Sequence, residues 1–324
     1  MKISFIIPAR NEDATIAQLA QQINHVIAGM DGVVFHEIIF VDDGSTDRTW
    51  HEIEKVSLEP DSHVHGIRLR RNCGKAAALS AGFNECTGDI VFTMDADLQD
   101  DPGEIPAFVE KLNEGFDLVS GWKRIRNDPF MKTAPSRLFN FVTARLTGIA
   151  LHDFNCGFKC YRREVIDNVV LYGELHRYMP VLAHDLGFRI GELAVKHHPR
   201  THGSSKYGWE RYTRGMLDLL TVLATTRWLH KPGHLFGGVG ILLAFLALGV
   251  LAYLGVIWAL GMGPIGGRPL LIFGVLAAVV SIQMISLGVI AEFLIKFNQP
   301  KSLKPYISAR AGHPQASGDA ASPS

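Results

Sequence analysis

Two long segments near the C-terminus carry almost no charge, and they restrict how the chain can fold. Residues 235–260 include no charged side chain, and residues 270–294 include only Glu292. A helix over the first segment would be about 39 Å long, more than the roughly 30 Å hydrocarbon core of a bilayer. The linker between the segments is short and rich in Gly and Pro. The pattern predicts a transmembrane hairpin within residues 233–297, with buried core helices as the alternative.

Basic residues lie on both sides of this hairpin. Before it stand Lys206, Arg211, Arg214, Arg227 and Lys231, and after it Lys296, Lys301, Lys304 and Arg310. The linker carries only Arg268. The positive-inside rule then places both the N-terminal region and the tail, residues 298–324, in the cytoplasm, with the hairpin in the inner membrane. Residues 207–232 mix aromatic and aliphatic with basic side chains, which predicts amphipathic interfacial helices or, alternatively, an ordinary surface helix.

Residues 1–206 form one predicted α/β domain. Apolar runs typical of strands occur at residues 3–7, 38–41, 65–69 and 90–94, and helical patterns at 13–28 and 75–83. This alternation favours a mostly parallel sheet covered by helices on both faces. Ligands of such sheets bind beyond the C-terminal ends of the strands. The formal net charge is +0, which argues against nucleic acid as a partner.

Asp95 and Asp97 directly follow the fourth predicted strand. Two carboxylates at this spacing can direct oxygen ligands to one point, as a divalent cation bound to a pyrophosphate requires. An acid-rich turn without a ligand is the alternative. The sequence thus favours a metal and diphosphate site at the end of this strand.

Three other motifs also lie at strand ends or helix starts. Asp42 is predicted to bind a nucleobase or ribose, and the later residues Ser45 or Thr46 to cap the next helix. After the first strand, Pro8, Arg10 and Glu12 are predicted donor-site residues, with Glu12 on the nucleoside and Arg10 on phosphate. Lys75 opens a helix whose backbone N–H groups favour an anion.

Together these motifs resemble the catalytic domain of glycosyltransferase family 2, which has the GT-A fold. The matching segments are residues 8–12, 41–47, 72–79 and 95–102. Further segments resemble the polyprenyl-phosphate branch, which holds dolichol-phosphate mannose synthases and bacterial undecaprenyl-phosphate glycosyltransferases; they are residues 121–124, 153–159, 176–180 and 200–207, with Arg137. The C-terminal hairpin is similar to that of the bacterial O-antigen glucosylation type.

The resemblance implies roles for individual residues. Asp95, Asp97 and Gln99 are expected to surround Mg²⁺ or Mn²⁺ and the donor pyrophosphate. The expected acceptor-phosphate residues are Lys123, Arg137, Arg200 and Ser205, and the expected catalytic residues are Asp97, Asp153 and Lys206. The branch commonly has Arg at the position of Lys123, and Lys keeps the charge but cannot form a bidentate fork.

The predicted reaction is a single inverting displacement that moves a hexose from a nucleotide-sugar to a polyprenyl phosphate. UDP-glucose and undecaprenyl phosphate are the first choices, and the family analogy favours a homo-oligomer. A lipid phosphate is already ionised at neutral pH, so it needs positioning more than deprotonation. Asp153 is the candidate base or acceptor-orienting acid.

Two alternatives have distinguishing sequence features. A hydroxyl-directed membrane glycosyltransferase or polysaccharide synthase would typically carry a Q-x-x-R-W motif. Here Arg227 and Trp228 are present, but position 224 is Ala. A non-catalytic membrane scaffold would have lost one of the two acids Asp95 and Asp97 or the basic Lys206, and all three are present.

Overall fold

The computed structural model describes residues 1–60, 62–124, 140–171, 173, 175–199, 221–222 and 232–298. Four residues predicted from the sequence to act in the site lie outside these ranges: Arg137, Arg200, Ser205 and Lys206. Most of the predicted interfacial segment 207–232 and the tail beyond Asn298 lie outside them as well.

A seven-stranded sheet forms the centre of the N-terminal region, in the order β3-β2-β1-β4-β6-β5-β7. The strands are β1 (Lys2–Ala9), β2 (Phe35–Asp42), β3 (Val64–Arg68), β4 (Ile90–Thr93), β5 (Leu118–Trp122), β6 (Lys159–Arg162) and β7 (Ile190–Ala194). β6 runs antiparallel to β4 and β5, and the remaining neighbours pair in parallel. The predicted mostly parallel α/β fold is therefore confirmed.

Helices connect the strands and cover the sheet. They are α1 (Ile16–Ala28), α2 (Thr49–Ser57), α3 (Lys75–Glu85), α4 (Ile105–Asn113), α5 (residues 140–147), α6 (Arg163–Asn168) and α7 (Met179–Asp185). Short 3₁₀ turns span Pro102–Glu104 and Leu175–Tyr178. In α1 the apolar residues Ile16, Leu19 and Ile23 recur at helical spacing, and all three are buried. The hydrophobic pattern of the sequence thus determines which face of α1 packs on the sheet.

Successive apolar residues in the central strands supply two separate cores. Phe5 and Phe92 lie on one face, where their rings stack with centroids 5.2 Å apart. Their neighbours Ile6 and Val91 belong to the core on the other face. Because side chains alternate along a strand, an uninterrupted apolar run fills both faces of the sheet. This explains why β1, β2 and β4 contain continuous apolar runs.

A third apolar cluster joins distant parts of the chain. It contains Leu151, Phe154 and Tyr178, together with Val222 from the predicted interfacial segment. Val142 of α5 packs against the same cluster. Val222 thus packs against the N-terminal region.

Two long helices follow, α8 (Pro232–Ala259) and α9 (Pro269–Asn298). Both are long and apolar enough to cross a membrane. Their contact surface contains glycines where a Cβ would meet the other helix, such as Gly240 at 2.6 Å from Ile285. Small residues allow transmembrane helices to approach closely. Large apolar side chains including Phe245 and Trp258 point outward instead, as expected of helices surrounded by lipid.

Candidate active site

The strands of the parallel half end at one edge of the sheet. The last residue of β1, Ala9, pairs with the last residue of β2, Asp42, which in turn pairs with the last residue of β3, Arg68. β6 runs the opposite way, and its first residue, Lys159, pairs with the last residue of β4, Thr93. The loop that precedes β6 therefore reaches the same edge as the loops that follow β1 to β4. This edge collects the described motif residues and is the candidate active site.

The loop after β4 carries the two predicted metal-binding acids. Leu98 adopts a left-handed conformation with φ 59°, which is uncommon for a residue with a side chain. Around this turn, Asp97 Oδ1 accepts a hydrogen bond from the Gln99 backbone N–H at 3.2 Å. The Gln99 side-chain amide donates to the His198 carbonyl at 3.4 Å. Thus the turn brings Asp97 and Gln99 together, while the Gln99 amide nitrogen points to the segment after β7.

Lys75, at the start of α3, forms an ion pair with the Asp95 carboxylate. Partial removal from solvent would raise the pKa of Asp95, but the positive charges of Lys75 and Lys123 outweigh it and hold that pKa well below its usual range. Asp43 fixes the loop before α3 by accepting the backbone N–H groups of Cys73 at 2.7 Å and Gly74 at 3.1 Å. Asp95 is therefore ionised, with the ammonium group of Lys75 beside it.

Lys123, a predicted acceptor-phosphate residue, contacts the loop that carries the two predicted metal-binding acids. Its Nζ lies 2.8 Å from Asp100 Oδ1, and its side chain is only 13% exposed. Burial would lower the pKa of Lys123, but Asp100 raises it above the ordinary value. Contact between Lys123 and an acceptor phosphate would require this pair to open, so its direct role in the described structure is to neutralise Asp100.

Asp42, the predicted nucleoside contact, is fully buried at the end of β2. Its Oδ1 accepts the Ser45 backbone N–H at 2.9 Å, and its Oδ2 lies 3.4 Å from Arg68 Nε. Beside it opens a groove of about 470 Å³, lined by Gly44, Ser45, Thr46, Arg68, Leu69, Arg70 and Arg71. A Cβ at Gly44 would lie 2.5 Å from the Arg71 backbone, so glycine lets the loops after β2 and β3 meet there.

The loops after β1 and β2 are joined through Asn11. Its backbone N–H donates to Ser45 Oγ at 3.0 Å, and its Oδ1 accepts the Thr46 N–H at 2.8 Å. The prediction that Ser45 or Thr46 caps the next helix is therefore wrong. Arg48 occupies the N-cap position of α2 without a side-chain cap, and the preceding Asp47 accepts the backbone N–H of Thr49 through its Oδ1 at 3.0 Å. Sequence spacing alone did not show which of these neighbouring polar residues lies at the start of α2.

Arg10 and Glu12 lie on the same loop, immediately beyond Pro8 and β1. Arg10 is exposed at the edge of the sheet. The Glu12 backbone N–H donates to Thr49 Oγ1 at 2.8 Å. The structure thus gathers the predicted donor-site residues of this loop next to Asp42, with Arg10 exposed.

The loop before β6 brings Asp153 to the site. Asp153 is 1% exposed, and its Oδ1 accepts the Asn155 N–H at 3.0 Å. Farther along this loop, a Cβ at Gly157 would lie 2.7 Å from Asp95 Oδ2. The carbonyl of Gly157 also accepts the Thr93 hydroxyl at 2.8 Å. Consequently, the Asp153 loop packs directly against the acid that follows β4.

Glu192 of β7 holds the Asp153 loop from behind. Its Oε1 accepts the backbone N–H groups of His152 at 2.8 Å and Asp153 at 3.1 Å, and its Oε2 lies 2.7 Å from His152 Nδ1. The His152 ring stacks on Trp122 with centroids 4.2 Å apart. Sequence reasoning missed Glu192, although a single carboxylate within the apolar run 190–195 is a usable signal.

We expect Glu192→Gln to lower kcat about tenfold, because weakening charge-assisted hydrogen bonds costs about 1.5 kcal/mol. The KM for the nucleotide-sugar should stay unchanged. A double-mutant cycle with Asp153→Asn checks the connection, since two residues that act together give non-additive losses. Glu164→Gln, on the exposed start of α6, is the matched control. An unchanged kcat in Glu192→Gln, or additive losses in the cycle, would contradict a positioning role.

Two further basic groups lie beneath the site. Lys159 is almost fully buried, and its ammonium group donates to the Cys156 carbonyl. Burial lowers the pKa of Lys159 and brings the pKa of His176 well below its ordinary value, an effect that Lys75 increases. Both residues lie in segments that resemble the polyprenyl-phosphate branch, but neither was given a role of its own from the sequence. Lys159 stands between Phe158 and Cys160, and a lysine flanked by apolar residues is the signal that could have identified the first of them.

The acids fit a cation that is completed by a ligand. Among the described residues, no group of three His, Cys, Asp or Glu side chains is placed to hold a metal ion. Mg²⁺ commonly takes only one or two carboxylates and completes its shell with substrate phosphates and water. The ammonium group beside Asp95 also shows that this carboxylate accommodates positive charge. Asp95, Asp97 and Gln99 are thus the residues that would hold the ion.

The sequence profile described as Glycosyl transferase family 2 matches residues 4–170. A dodecaprenyl-phosphate galacturonate synthase of Rhizobium johnstonii is 39% identical over 91% of this chain and 88% of its own. An undecaprenyl-phosphate 4-deoxy-4-formamido-L-arabinose transferase of Shewanella sediminis is 37% identical over 90% of this chain and 86% of its own. Both alignments cover too much of the chain to be confined to the N-terminal domain.

Among solved structures, a similar fold occurs in glucosyl-3-phosphoglycerate synthase from Mycobacterium tuberculosis, in complex with Mn²⁺, uridine diphosphate and glucosyl-3-phosphoglycerate. The TM-score is 0.53 at 21% identity, with 69% of this chain and 79% of that chain covered. At this identity the likeness supports the GT-A-like fold of the N-terminal region.

Proposed function

This chain belongs to glycosyl transferase family 2 and is a glycosyltransferase, and we propose that it transfers a sugar from a nucleotide-sugar to a polyprenyl phosphate. The observation that carries the proposal is the near full-length similarity to transferases named for polyprenyl phosphates. The two apolar helices support it, because a long isoprenoid stays in the bilayer and presents only its phosphate.

The donor would bind at the edge formed by β1 to β4. The groove beside Asp42 and the loop carrying Arg10 and Glu12 would receive the nucleoside. Lys75 and the N-terminus of α3 would attract the diphosphate, since helix N-termini favour anions. A divalent cation held by Asp95, Asp97 and Gln99 would stabilise negative charge on the leaving diphosphate.

The acceptor phosphate would approach from the side of the Asp153 loop. Asp153 is buried and anchored through Glu192, which suits a group that orients the acceptor. Arg137, Arg200 and Ser205 stay predicted acceptor-phosphate residues, and Lys206 stays a predicted catalytic residue. An oxygen of the lipid phosphate would attack the anomeric carbon while the bond to the nucleotide diphosphate breaks, and the product would have the inverted configuration. Positioning of two anionic reactants supplies much of the expected rate gain.

The basic residues around the hairpin support a topology with the catalytic domain and the tail in the cytoplasm and α8 and α9 in the inner membrane. Product formed on the cytoplasmic leaflet would then serve the cell envelope. The homo-oligomer expected from the family analogy stays a prediction.

For the transferred sugar, the proposal has to choose among several candidates. The predicted glucose gains no support from the two relatives described above, whose names give galacturonate and 4-deoxy-4-formamido-L-arabinose. We therefore place nucleotide-linked galacturonate first, followed by the formamido-arabinose and then glucose. All three leave a nucleoside diphosphate, so the same acid loop would serve each of them.

A label-transfer assay tests the proposed function. Purified full-length protein in detergent receives undecaprenyl phosphate, Mg²⁺ and one labelled UDP- or GDP-sugar at a time, and label in the organic phase is counted. We expect one donor to label the lipid and EDTA to abolish the label. Nucleotide-sugar binding without lipid labelling by any donor would contradict the proposed acceptor and favour a hydroxyl acceptor. Label that persists in EDTA would contradict the proposed requirement for a divalent cation.

A further inference from the structure

The ion pair between Lys75 and Asp95 lies where the donor diphosphate and its cation are expected to meet. The Lys75 side chain is 25% exposed and that of Asp95 is 35% exposed, so both groups can be reached by a ligand. Lys75 begins α3 directly after Gly74, whose φ of 90° ends the preceding loop. The same lysine therefore contacts a metal-binding acid and stands at a helix N-terminus that attracts anions.

An ammonium group and a divalent cation compete for the same carboxylate oxygens. When Lys75 pairs with Asp95, its positive charge occupies one side of the carboxylate and repels a second cation nearby. The side of the Asp95 carboxylate that faces Gly157 also has little free space, since a Cβ at Gly157 would lie 2.7 Å from Asp95 Oδ2. Asp97 alone, at 9% exposure, is a weak site for an ion that prefers several oxygen ligands.

The lysine side chain can leave this position without a change in the backbone. It is a compact charge on a flexible four-carbon stem, and a diphosphate at the N-terminus of α3 would offer it a more negative partner. Once the ammonium group moves to the phosphates, Asp95 becomes available to the cation. In the part of the chain that the structure describes, no group of three His, Cys, Asp or Glu side chains is placed to hold a metal ion. The phosphate oxygens would supply the remaining ligands.

We propose that Lys75 is a built-in counter-cation that keeps the metal site closed until the donor diphosphate draws its ammonium group away. Metal and nucleotide then bind cooperatively, and neither binds tightly alone. By linkage, the factor by which the nucleotide tightens metal binding equals the factor by which the metal tightens nucleotide binding. The proposal deepens the donor-site part of the proposed function and is independent of the acceptor.

The test is Mn²⁺ binding by the purified full-length chain, followed by electron paramagnetic resonance with and without UDP. In the unsubstituted protein, saturating UDP should tighten Mn²⁺ binding by about tenfold or more, within the usual range of coupling between sites. Lys75→Met should bind Mn²⁺ alone more tightly than the unsubstituted protein, bind UDP alone more weakly, and lose most of the coupling. A loss of structure would change both affinities in the same direction, whereas these changes have opposite signs.

Two further variants make the test specific. Lys75→Arg keeps the positive charge and should bind Mn²⁺ alone as weakly as the unsubstituted protein. Lys111→Met removes another ion-paired lysine, 2.6 Å from Glu114 and away from the site, and should change neither affinity. If Lys75→Met binds Mn²⁺ alone no more tightly than the unsubstituted protein, the proposal is wrong. Because no lipid is present, this outcome is distinct from a failure to label polyprenyl phosphate.

Discussion

Asp97→Ala should reduce sugar transfer by about 10² to 10³-fold, the usual cost of losing a group that stabilises developing charge. The side chain is 9% exposed, and its Oδ1 also holds the Gln99 N–H at 3.2 Å. The substitution thus removes one predicted metal-binding acid and loosens the turn that positions a second predicted ligand. The measurement is label transfer to polyprenyl phosphate at saturating Mg²⁺, together with the thermal unfolding midpoint.

Asp101→Ala is the matched control for this prediction. Asp101 belongs to the same acidic loop, but its Oδ1 caps the following turn through the Gly103 N–H at 2.9 Å, and its Oδ2 lies 3.2 Å from His198 Nε2. We expect a small loss of stability and nearly full turnover. Near-normal activity of Asp97→Ala in a folded protein would exclude Asp97 from the metal site.

Gly157→Ala is expected to have a comparable effect through a single methyl group. The added Cβ would lie 2.7 Å from Asp95 Oδ2 and 2.9 Å from its Cγ, distances that force the carboxylate or the loop to move. A displaced Asp95 can no longer alternate between Lys75 and a cation in the same position. Since small errors in the placement of reacting groups cost about a hundredfold, we expect a loss of that order in kcat.

The measurements are kcat and Mn²⁺ affinity in the presence of UDP. Gly29→Ala is a suitable control, because its Cβ would have Val26 O as its nearest neighbour at 3.5 Å, an ordinary contact. Full activity of Gly157→Ala would mean that the Asp153 loop does not constrain Asp95 during turnover. Thermal unfolding would detect a loss of folding. The Mn²⁺ titration of the protein that stays folded would then measure the effect on Asp95 by itself.

Most of the parallel half of the fold could be predicted from the sequence because β1, β2 and β4 are buried on both faces. The apolar runs at β1, β2, β3 and β4 all form strands close to the expected positions. β5, β6 and β7 were not predicted, and the shortest of them, β6, has only four residues and carries the charged Lys159 and Arg162 at its ends. Its antiparallel direction depends on contacts with β4 and β5, which local hydrophobic patterns do not encode.

The candidate site was predictable in part for the same reason. Motifs at the ends of buried strands identified Asp42 and Asp95, since ligands collect at that edge of a parallel sheet. The partners of these groups were not predictable. Lys75 meets Asp95, and Lys123 meets Asp100, only after the start of α3 and the end of β5 come close to the loop after β4. Such pairs depend on tertiary distances that spacing along the chain does not reveal.

The hairpin shows the difference between a charge pattern and a helix boundary. The predicted segments were residues 235–260 and 270–294, whereas the helices span Pro232–Ala259 and Pro269–Asn298. The backbone hydrogen bonds of α9 form within the helix and do not require lipid. The helix therefore continues beyond the apolar residues 270–294 to Asn298. Glu292, the only acid in these segments, accepts the Gly233 N–H at 3.2 Å and so satisfies the open end of α8.

The antiparallel direction of β6 divides the edge of the sheet between two stretches of chain. The loops after β1 to β4 all come from before residue 102, whereas the loop before β6 and its support on β7 come from after residue 150. A recombination between relatives within α4 would exchange one set of loops and leave the other intact. On the proposed donor and acceptor sites, sugar preference and acceptor preference would be inherited separately, by crossovers that leave the strand order unchanged.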